Sequence, residues 1–251
     1  MRRIVVDAVI DVPSDVAGAL PTFWAEALGW PLGAPWPGHP ELRSLEPPRG
    51  TPYVHLQEAG AEPRVHLDLR VDGRSEADAL VTSALDNGAC LVGRQDRWRT
   101  LLSPGGLPFC VVDGTGDAPG PETWADGHRS RLVQVCVDAQ RDAHATEVHF
   151  WRGLLEGRWV ESRSDEFGGK WHCDGSPLQL LFQRLDEPGR SVRAHLDLGT
   201  DDLAAEVRRL VGLGAEDVGP GRGWHVLRDP AGLAFCATEN APDGARDRDL
   251  G

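Results

Sequence analysis

The chain has one methionine, one tyrosine and no uninterrupted apolar run near the ~20 residues that a bilayer-crossing helix requires. A membrane-spanning helix is therefore not expected. Positive charge is also scarce: 26 Lys and Arg stand against 39 Asp and Glu, a net charge of −13. Nucleic-acid binding needs a basic footprint, and docking on an anionic membrane needs clustered Lys and Arg, so neither partner is expected. The five cysteines are an odd number without close spacing. That argues against a disulfide framework and for reduced thiols in a cytoplasmic protein. The start, Met1-Arg2-Arg3-Ile4-Val5-Val6-Asp7, meets acidic residues before any long apolar core, so no secretory signal is expected.

What is present in excess is tryptophan, nine residues in 251. Such density fits aromatic lining of a cavity as well as ordinary core. More telling is a stretch that occurs twice. Val65-His66-Leu67-Asp68-Leu69 returns as Ala194-His195-Leu196-Asp197-Leu198, displaced by 195 − 66 = 129 residues. Strict alternation places His and Asp on one face of a strand and aliphatic side chains on the other.

Other landmarks keep nearly the same offset. Gln57 and Gln183, Trp98 and Trp224, and Cys110 and Cys236 are each 126 apart, and Phe23-Trp24 precedes Phe150-Trp151 by 127. Short loop insertions account for such drift. The spacing predicts two homologous domains, 1–113 and 130–240, joined by a linker over 114–129 and followed by a disordered tail over 241–251.

In the first half, a strand over Ile4–Val12 precedes a helix through Val16, Ala19, Leu20, Phe23, Trp24, Ala27 and Leu28. Ser14 or Asp15 is its N-cap candidate and Gly29 its stop. The Pro-, Gly- and Trp-rich stretch 30–50 reads as a loop with one short strand at most. Strands at Tyr53–Gln57 and Arg64–Val71, a helix at about 75–87 and three short strands complete the half. The second half repeats this order, with Trp159 and Trp171 in a loop and a helix at about 201–213. Each half thus holds a strand–helix–strands pattern twice, which favours an α+β architecture with curved mixed sheets.

These residues carry a family resemblance. Phe23-Trp24-x-x-x-Leu28-Gly29-Trp30, His66-Leu67-Asp68-Leu69 and Ser103-Pro104-Gly105-Gly106-Leu107-Pro108-Phe109-Cys110 resemble a glyoxalase-like domain of the vicinal oxygen chelate superfamily. Phe150-Trp151-x-x-x-Leu155, His195-Leu196-Asp197-Leu198 and Asp229-Pro230-Ala231-Gly232-Leu233-Ala234-Phe235-Cys236 resemble it more closely. That superfamily also contains bleomycin-resistance proteins and extradiol dioxygenases. The resemblance implies two tandem domains, each of paired βαβββ units forming a cup-shaped sheet. It does not fix activity, because one fold hosts many chemistries.

In the family's metal-dependent members a divalent metal sits in the cup on a His or Gln of the first strand, a His opening the fifth and a Glu on the last. Carried over position by position, the fifth-strand ligand falls on His66 and His195. The first-strand ligand falls on Asp7 and Gln134, and the last-strand Glu on Cys110 and Cys236. Hard metals favour oxygen ligands, and the second set contains no carboxylate. The resemblance therefore implies cups that keep their cavity without metal or other cofactor. A divalent metal on Asp7, His66 and Cys110, a set compatible with zinc, is the alternative.

The remaining candidates are weighed against ordinary roles. His66 with Asp68 and His195 with Asp197 are either proton-transfer pairs facing a ligand or structural pairs in which Asp orients His. Cys110 and Cys236 are either cup-lining thiols or small buried side chains. Trp30, Trp36, Trp159 and Trp171 would rim a cup or fill core. Trp98 and Trp224 suit core or a domain interface, and otherwise ligand binding, together with Gln57, Gln134 and Gln183. Phe167-Gly168-Gly169-Lys170 looks superficially like a phosphate loop but lacks the strand-then-helix setting.

The expected function is capture of a small, aromatic organic molecule without metal, as in sequestration, antibiotic resistance or secondary metabolism. The alternatives are a lyase, isomerase or cyclase that uses a cup histidine, and a metal-dependent glyoxalase or dioxygenase. The expected partner is a small-molecule ligand. The expected assembly is a monomer with an internal pseudo-dimer, or a homodimer.

Overall fold

A computed structural model describes residues 3–14 and 18–244. The first domain runs β1 (Val5–Val12), α1 (Ala19–Leu28), β2 (Leu32–Trp36), β3 (His39–Leu45) and β4 (Val54–Glu58). It continues with β5 (Arg64–Val71), α2 (Arg74–Asp86), β6 (Cys90–Arg94), β7 (Trp98–Leu102) and β8 (Pro108–Asp113). After β9 (Glu122–Thr123), the second domain repeats the order. Its elements are β10 (Arg129–Gln140), α3 (Arg141–Leu154), β11 (Arg158–Val160), β12 (Phe167–His172) and β13 (Gln179–Leu185), then β14 (Val192–Thr200), α4 (Leu203–Gly212), β15 (Glu216–Pro220), β16 (Trp224–Arg228) and β17 (Ala234–Thr238). Each domain is two βαβββ units, and the α+β class holds.

The sheets have equivalent strand orders, β2-β3-β4-β1-β5-β8-β7-β6 and β11-β12-β13-β10-β14-β17-β16-β15. In each, two units join through antiparallel pairing of their first strands, β1 with β5 and β10 with β14. Strands far apart in this order meet in space. The His39 ring on β3 lies 4.7 Å from the Trp98 ring on β7, and Phe167 on β12 lies 6.5 Å from Trp224 on β16. A flat sheet would hold such strands more than 20 Å apart, at roughly 4.8 Å per strand. Each sheet therefore curls into a cup whose floor is the central pair.

Alternation decides which residues face that floor. On β1, Val6, Ala8, Ile10 and Val12 join the apolar core, while Asp7, Val9 and Asp11 take the other face. All are buried, so this strand reads as nearly continuous burial with carboxylates inserted.

The stretch 30–50, expected mostly as loop, is the β2–β3 hairpin, and Trp159 and Trp171 lie on β11 and β12. Register shifts between β2 and β3 and on β12 against β13 break the period of two there, which is why alternation did not mark these strands. Helix α1 begins with Gly18 as its N-cap and no side-chain cap; the Asp15 candidate lies outside the described residues. Asp202 caps α4 by accepting from the Ala205 N–H at 2.9 Å.

Residues 114–129 are strapped to both domains. Glu122 accepts the Trp30 indole N–H at 3.1 Å, β9 pairs with β10, and the Arg209 guanidinium lies 3.5 Å over the Trp124 ring. Asp243, in the segment expected as tail, pairs with Arg129 at 3.1 Å; residues 245–251 are outside the described part. No described helix is long and apolar enough to cross a membrane.

The two domains share one core through exchanged helices. Trp24 of α1 packs 5.2 Å from Phe235 of β17 and donates its indole N–H to Asp229 in the β16–β17 turn at 3.0 Å. In mirror fashion Trp151 of α3 packs 5.2 Å from Phe109 of β8. Its N–H goes to Glu147, whose other oxygen accepts from Gly105 N–H in the β7–β8 turn at 3.0 Å.

Candidate functional site

The two cups have the same plan and different contents. In the second domain the cup is a cavity of ≈ 500 Å³. This lies in the range of pockets that enclose a drug-sized molecule, about 300–1,000 Å³. In the first domain the corresponding space is ≈ 20 Å³, room for about one water.

The floor of the open cup is built around His195. Its Nδ1 lies 2.9 Å from Asp138 Oδ2, and its Nε2 lies 3.3 Å from Asp197 Oδ1. Asp138 comes from β10 and Asp197 from β14, so the strand pair that forms the floor also clamps the ring. Asp197 is held in turn by the Gln134 amide, and Gln134 accepts from Gln179 at 2.7 Å. Burial opposes a charged imidazole here. Asp138 and Asp197 outweigh it, and the ring keeps its proton well above the ordinary histidine range. Burial pushes the Cys136 and Cys236 thiols up, so both are neutral near pH 7. The walls are apolar: Phe167, Leu181 and Leu185 on one side, Trp224 and Val226 on the other. Arg193 and Arg222 stand exposed at the mouth, and Lys170 is buried in the wall.

The first cup is filled by its own side chains. At the position of Gly199 stands Arg70, whose Nε lies 2.6 Å from Asp7 and whose Nη2 donates to the other Asp7 oxygen at 2.8 Å. At the position of Leu181 stands His55, 3.4 Å from Asp7. The Trp36 ring packs 5.2 Å from His55 and donates its N–H to Ser44 at 3.0 Å. His66 sits with Nδ1 3.0 Å from Asp11 and Nε2 3.7 Å from Asp68. Burial opposes its charge, but Asp11 and Asp68 raise its pKa. Burial likewise raises Asp68 and the Cys110 thiol.

Each sequence candidate therefore has a place. His195, Asp197, Gln134, Gln183, Trp224 and Cys236 line the open cup. His66, Asp68, Gln57, Trp36, Trp98 and Cys110 line the filled one. Trp224 and Trp98 thus face cups rather than a domain interface. Three loop candidates lie elsewhere. Trp30 and Trp171 are fully buried core, and Trp159 stacks on Phe182 at 5.2 Å beneath Arg152. Trp159 and Trp171 point to the helix-covered side of the sheet because their strand positions have the outward parity, and Trp30, between α1 and β2, packs 5.2 Å from Tyr53.

Sequence reasoning missed Asp138 and Asp11, although their offset of 127 was available. It missed Lys170 because a bulge resets the alternation of β12. It also missed Arg70 and His55, which have no repeat partner of like chemistry.

The two cups differ in how their side chains suit a divalent metal. In the first cup Asp7 is bound at both oxygens by Arg70 and is absent from the ligand-like cluster, which is His66, Asp68 and Cys110. A guanidinium on the carboxylate opposes a second cation, so Asp7, His66 and Cys110 do not fit. In the second cup the donor atoms of His195, Asp197 and Cys236 lie within 4.8 Å of one another. Asp138 holds the other ring nitrogen, as a carboxylate commonly does behind a metal-bound histidine. In kind these donors fit zinc.

The sequence model described as "Glyoxalase-like domain" matches residues 7–112 and again 134–238. No curated protein matches the sequence. Among solved structures, a Mn(II)-bound glyoxalase from Novosphingobium aromaticivorans aligns over 100% of this chain and 85% of its own, with TM-score 0.66 and 18% identity. A variant of homoprotocatechuate 2,3-dioxygenase from B. fuscum aligns over 100% of this chain and 74% of its own, with TM-score 0.65 and 16% identity. The 2,2',3-trihydroxybiphenyl 1,2-dioxygenase of Sphingomonas wittichii aligns over 95% and 90%, with TM-score 0.61 and 14% identity. At such identities the likeness is one of fold.

Proposed function

The chain belongs to the glyoxalase-like domain family of the vicinal oxygen chelate superfamily, in two tandem copies, and from that premise we propose that its second cup captures a small, flat aromatic molecule bearing oxygen substituents. The observation that carries this reading is the contrast between ≈ 500 Å³ in one cup and ≈ 20 Å³ in the other. Core packing fills space of this size unless the space has a use, because a void forfeits contacts on every side.

The apolar walls accept a ring, and Trp224 and Phe167, whose rings meet edge to face at 6.5 Å, belong to them. The floor offers hydrogen-bond partners at fixed positions: Gln134, His195 with its carboxylates, and Thr238. Neighbours in fold act, by name, on catechol and on trihydroxybiphenyl, and molecules of that shape suit the cup. Metal is not required for such capture. Gln134 donates to Asp197, and His195 Nε2 lies 3.3 Å from the other Asp197 oxygen, so the floor is ordered by its own side chains.

The test is a fluorescence and calorimetric titration of the full chain with catechol and with cinnamate. Binding with quenching is expected, and Trp224→Phe should remove most of the quenching at little cost in fold. Absence of heat and quenching for both compounds at millimolar concentration would overturn the reading.

A second reading is favoured by the His195, Asp197 and Cys236 cluster. These residues would hold a zinc ion, with Asp138 orienting the imidazole. The ion would supply Lewis-acid polarisation of a ligand oxygen. Metal analysis of protein purified without chelator separates the two: one equivalent of zinc per chain supports the second reading, and its absence the first.

A further inference from the structure

We propose that the end of the second cup formed by Gly199, Thr238 and Asn240 is an uncharged hydrogen-bonding subsite, and that the ligand presents a neutral polar group to it, a carboxamide or a hydroxyl, read by the Asn240 side chain. The proposal rests on the reading of this cup as a ligand site and deepens it. The observation behind it is an exchange of large and small residues between the two cups.

Strand register fixes the exchange. In the first domain Asp7 faces Asp68, Asp68 faces Cys110 and Arg70 faces Val112. In the second domain Gln134 faces Asp197, Asp197 faces Cys236 and Gly199 faces Thr238. Arg70 and Gly199 thus hold one position, and Val112 and Thr238 another. Two residues further along the chain stand Gly114 and Asn240. Where the strand carries the large residue, Arg70, the segment that crosses it carries glycine, and a side chain on Gly114 would begin 3.4 Å from Arg70 Cδ. Where the crossing segment carries Asn240, the strand carries glycine. A side chain on Gly199 would begin 2.6 Å from the Asn240 carbonyl oxygen and 2.8 Å from Val133 Cγ2. Gly199 therefore lets the backbone of Asn240 lie directly on β14, and it removes the side chain that plugs the other cup.

Charge leaves with the exchange. The ion pair of Arg70 with Asp7 closes this end of the first cup. In the second cup Gly199 stands in place of the guanidinium and Gln134 in place of the carboxylate. Gln134 donates to Asp197 and accepts from Gln179. Hydrogen-bonding groups arrive instead: a hydroxyl at Thr238 where Val112 has methyl groups, and a carboxamide at Asn240 where Gly114 has no side chain. Gln134, Thr238 and Asn240 all line the cavity. The backbone that carries Asn240 is pinned on both sides. Glu239 N–H donates to Gly223 O at 2.9 Å, Asn240 N–H donates to Thr238 Oγ1 at 3.4 Å, and Asp243 pairs with Arg129 at 3.1 Å.

What such an end accepts follows from its chemistry. Asp197 is held by Gln134 and His195, and Arg222 and Glu239 stand exposed at the rim with opposite signs. An ionised ligand group would lose water here without gaining a buried partner of opposite charge at this end of the cup. A carboxamide or a hydroxyl both donates and accepts, as do the side chains of Asn240 and Thr238. Each hydrogen bond that such a group gives up to enter is then replaced in kind.

The test compares cinnamamide with its anionic isostere cinnamate by calorimetry on the full chain. Wild type should bind both, cinnamamide about tenfold more tightly. Asn240→Leu, similar in size but without donor or acceptor, should remove that preference by weakening cinnamamide and leaving cinnamate unchanged. Asn240→Ala should do the same, and thermal melts of both variants check that the fold is kept. Equal binding of the two probes by wild type, or a preference for cinnamamide that persists in either folded variant, would overturn the subsite while leaving the cup a ligand site. Binding of catechol alone, with neither cinnamamide nor cinnamate bound, would have the same meaning. Failure of all three compounds to bind wild type would overturn the subsite and the proposed function together.

Discussion

At the scale of single residues, charge decides what each cup can do. Buried carboxylates recur on both floors, and each is met by a histidine, an arginine or an amide. The same rule governs a group outside the cups. His128 has a buried ring, with Nε2 2.8 Å from Glu206 of α4 and Nδ1 on Asp126. Arg209 also binds Glu206, and Trp124 lies beside the ring. Burial opposes a charge on His128, but Glu206 and Asp126 raise its pKa. A pKa raised by folding means stability that is complete below the unfolded value, about 6.5, and lost as pH rises through the folded value. The melting temperature of wild type should therefore exceed that of His128→Gln most strongly near pH 5.5 to 6. The gap should narrow as the pH becomes alkaline. A gap that widens with pH would contradict the assignment of a charged His128.

At the scale of elements, much of the fold was legible because periodicity and repetition carry it. The His-Leu-Asp-Leu strands, α1 and α2, and the closing strands of both domains stand where alternation and helical spacing put them. The repeat offset added the pairing of domains. The β2–β3 and β11–β12 hairpins were not legible, since register shifts within β2–β3 and on β12 against β13 break the period of two where the cup walls begin. For the same reason Trp171 and Trp159 read as rim residues and proved to lie on the core side. The candidate site was legible to the extent that it repeats: His195, Asp197, Gln134 and Cys236 were named, and Lys170 was not. Arg70 shows what repetition hides, because its partner position is Gly199 and the comparison is between unlike residues. Its ion pair with Asp7 is buried, at 11% and 2% side-chain exposure. Removing one member of such a pair strands the other charge and costs about 3–5 kcal/mol. Arg70→Met should lower stability by about that amount in a denaturant titration, and adding Asp7→Asn should restore most of it. A single variant within about 0.5 kcal/mol of wild type would show that Arg70 is not what fills the first cup.

At the scale of the whole molecule, duplication has produced one body with two unequal halves. The exchanged contacts of Trp24 with Asp229 and of Trp151 with the Glu147–Gly105 bridge tie each first helix to the other domain's last hairpin. Three consequences follow from the unequal filling of the cups. The first domain contributes packing and the helix that covers its partner. The second contributes the cavity, and so a chain should hold one ligand. The most direct test is a crystal structure of the full chain soaked with cinnamate and, separately, with catechol. Ligand density between Trp224 and His195 in the second cup, with the first cup still closed over Arg70, is the predicted result. Ligand in the first cup, or a second cup left empty at saturating concentrations of both compounds, would contradict it.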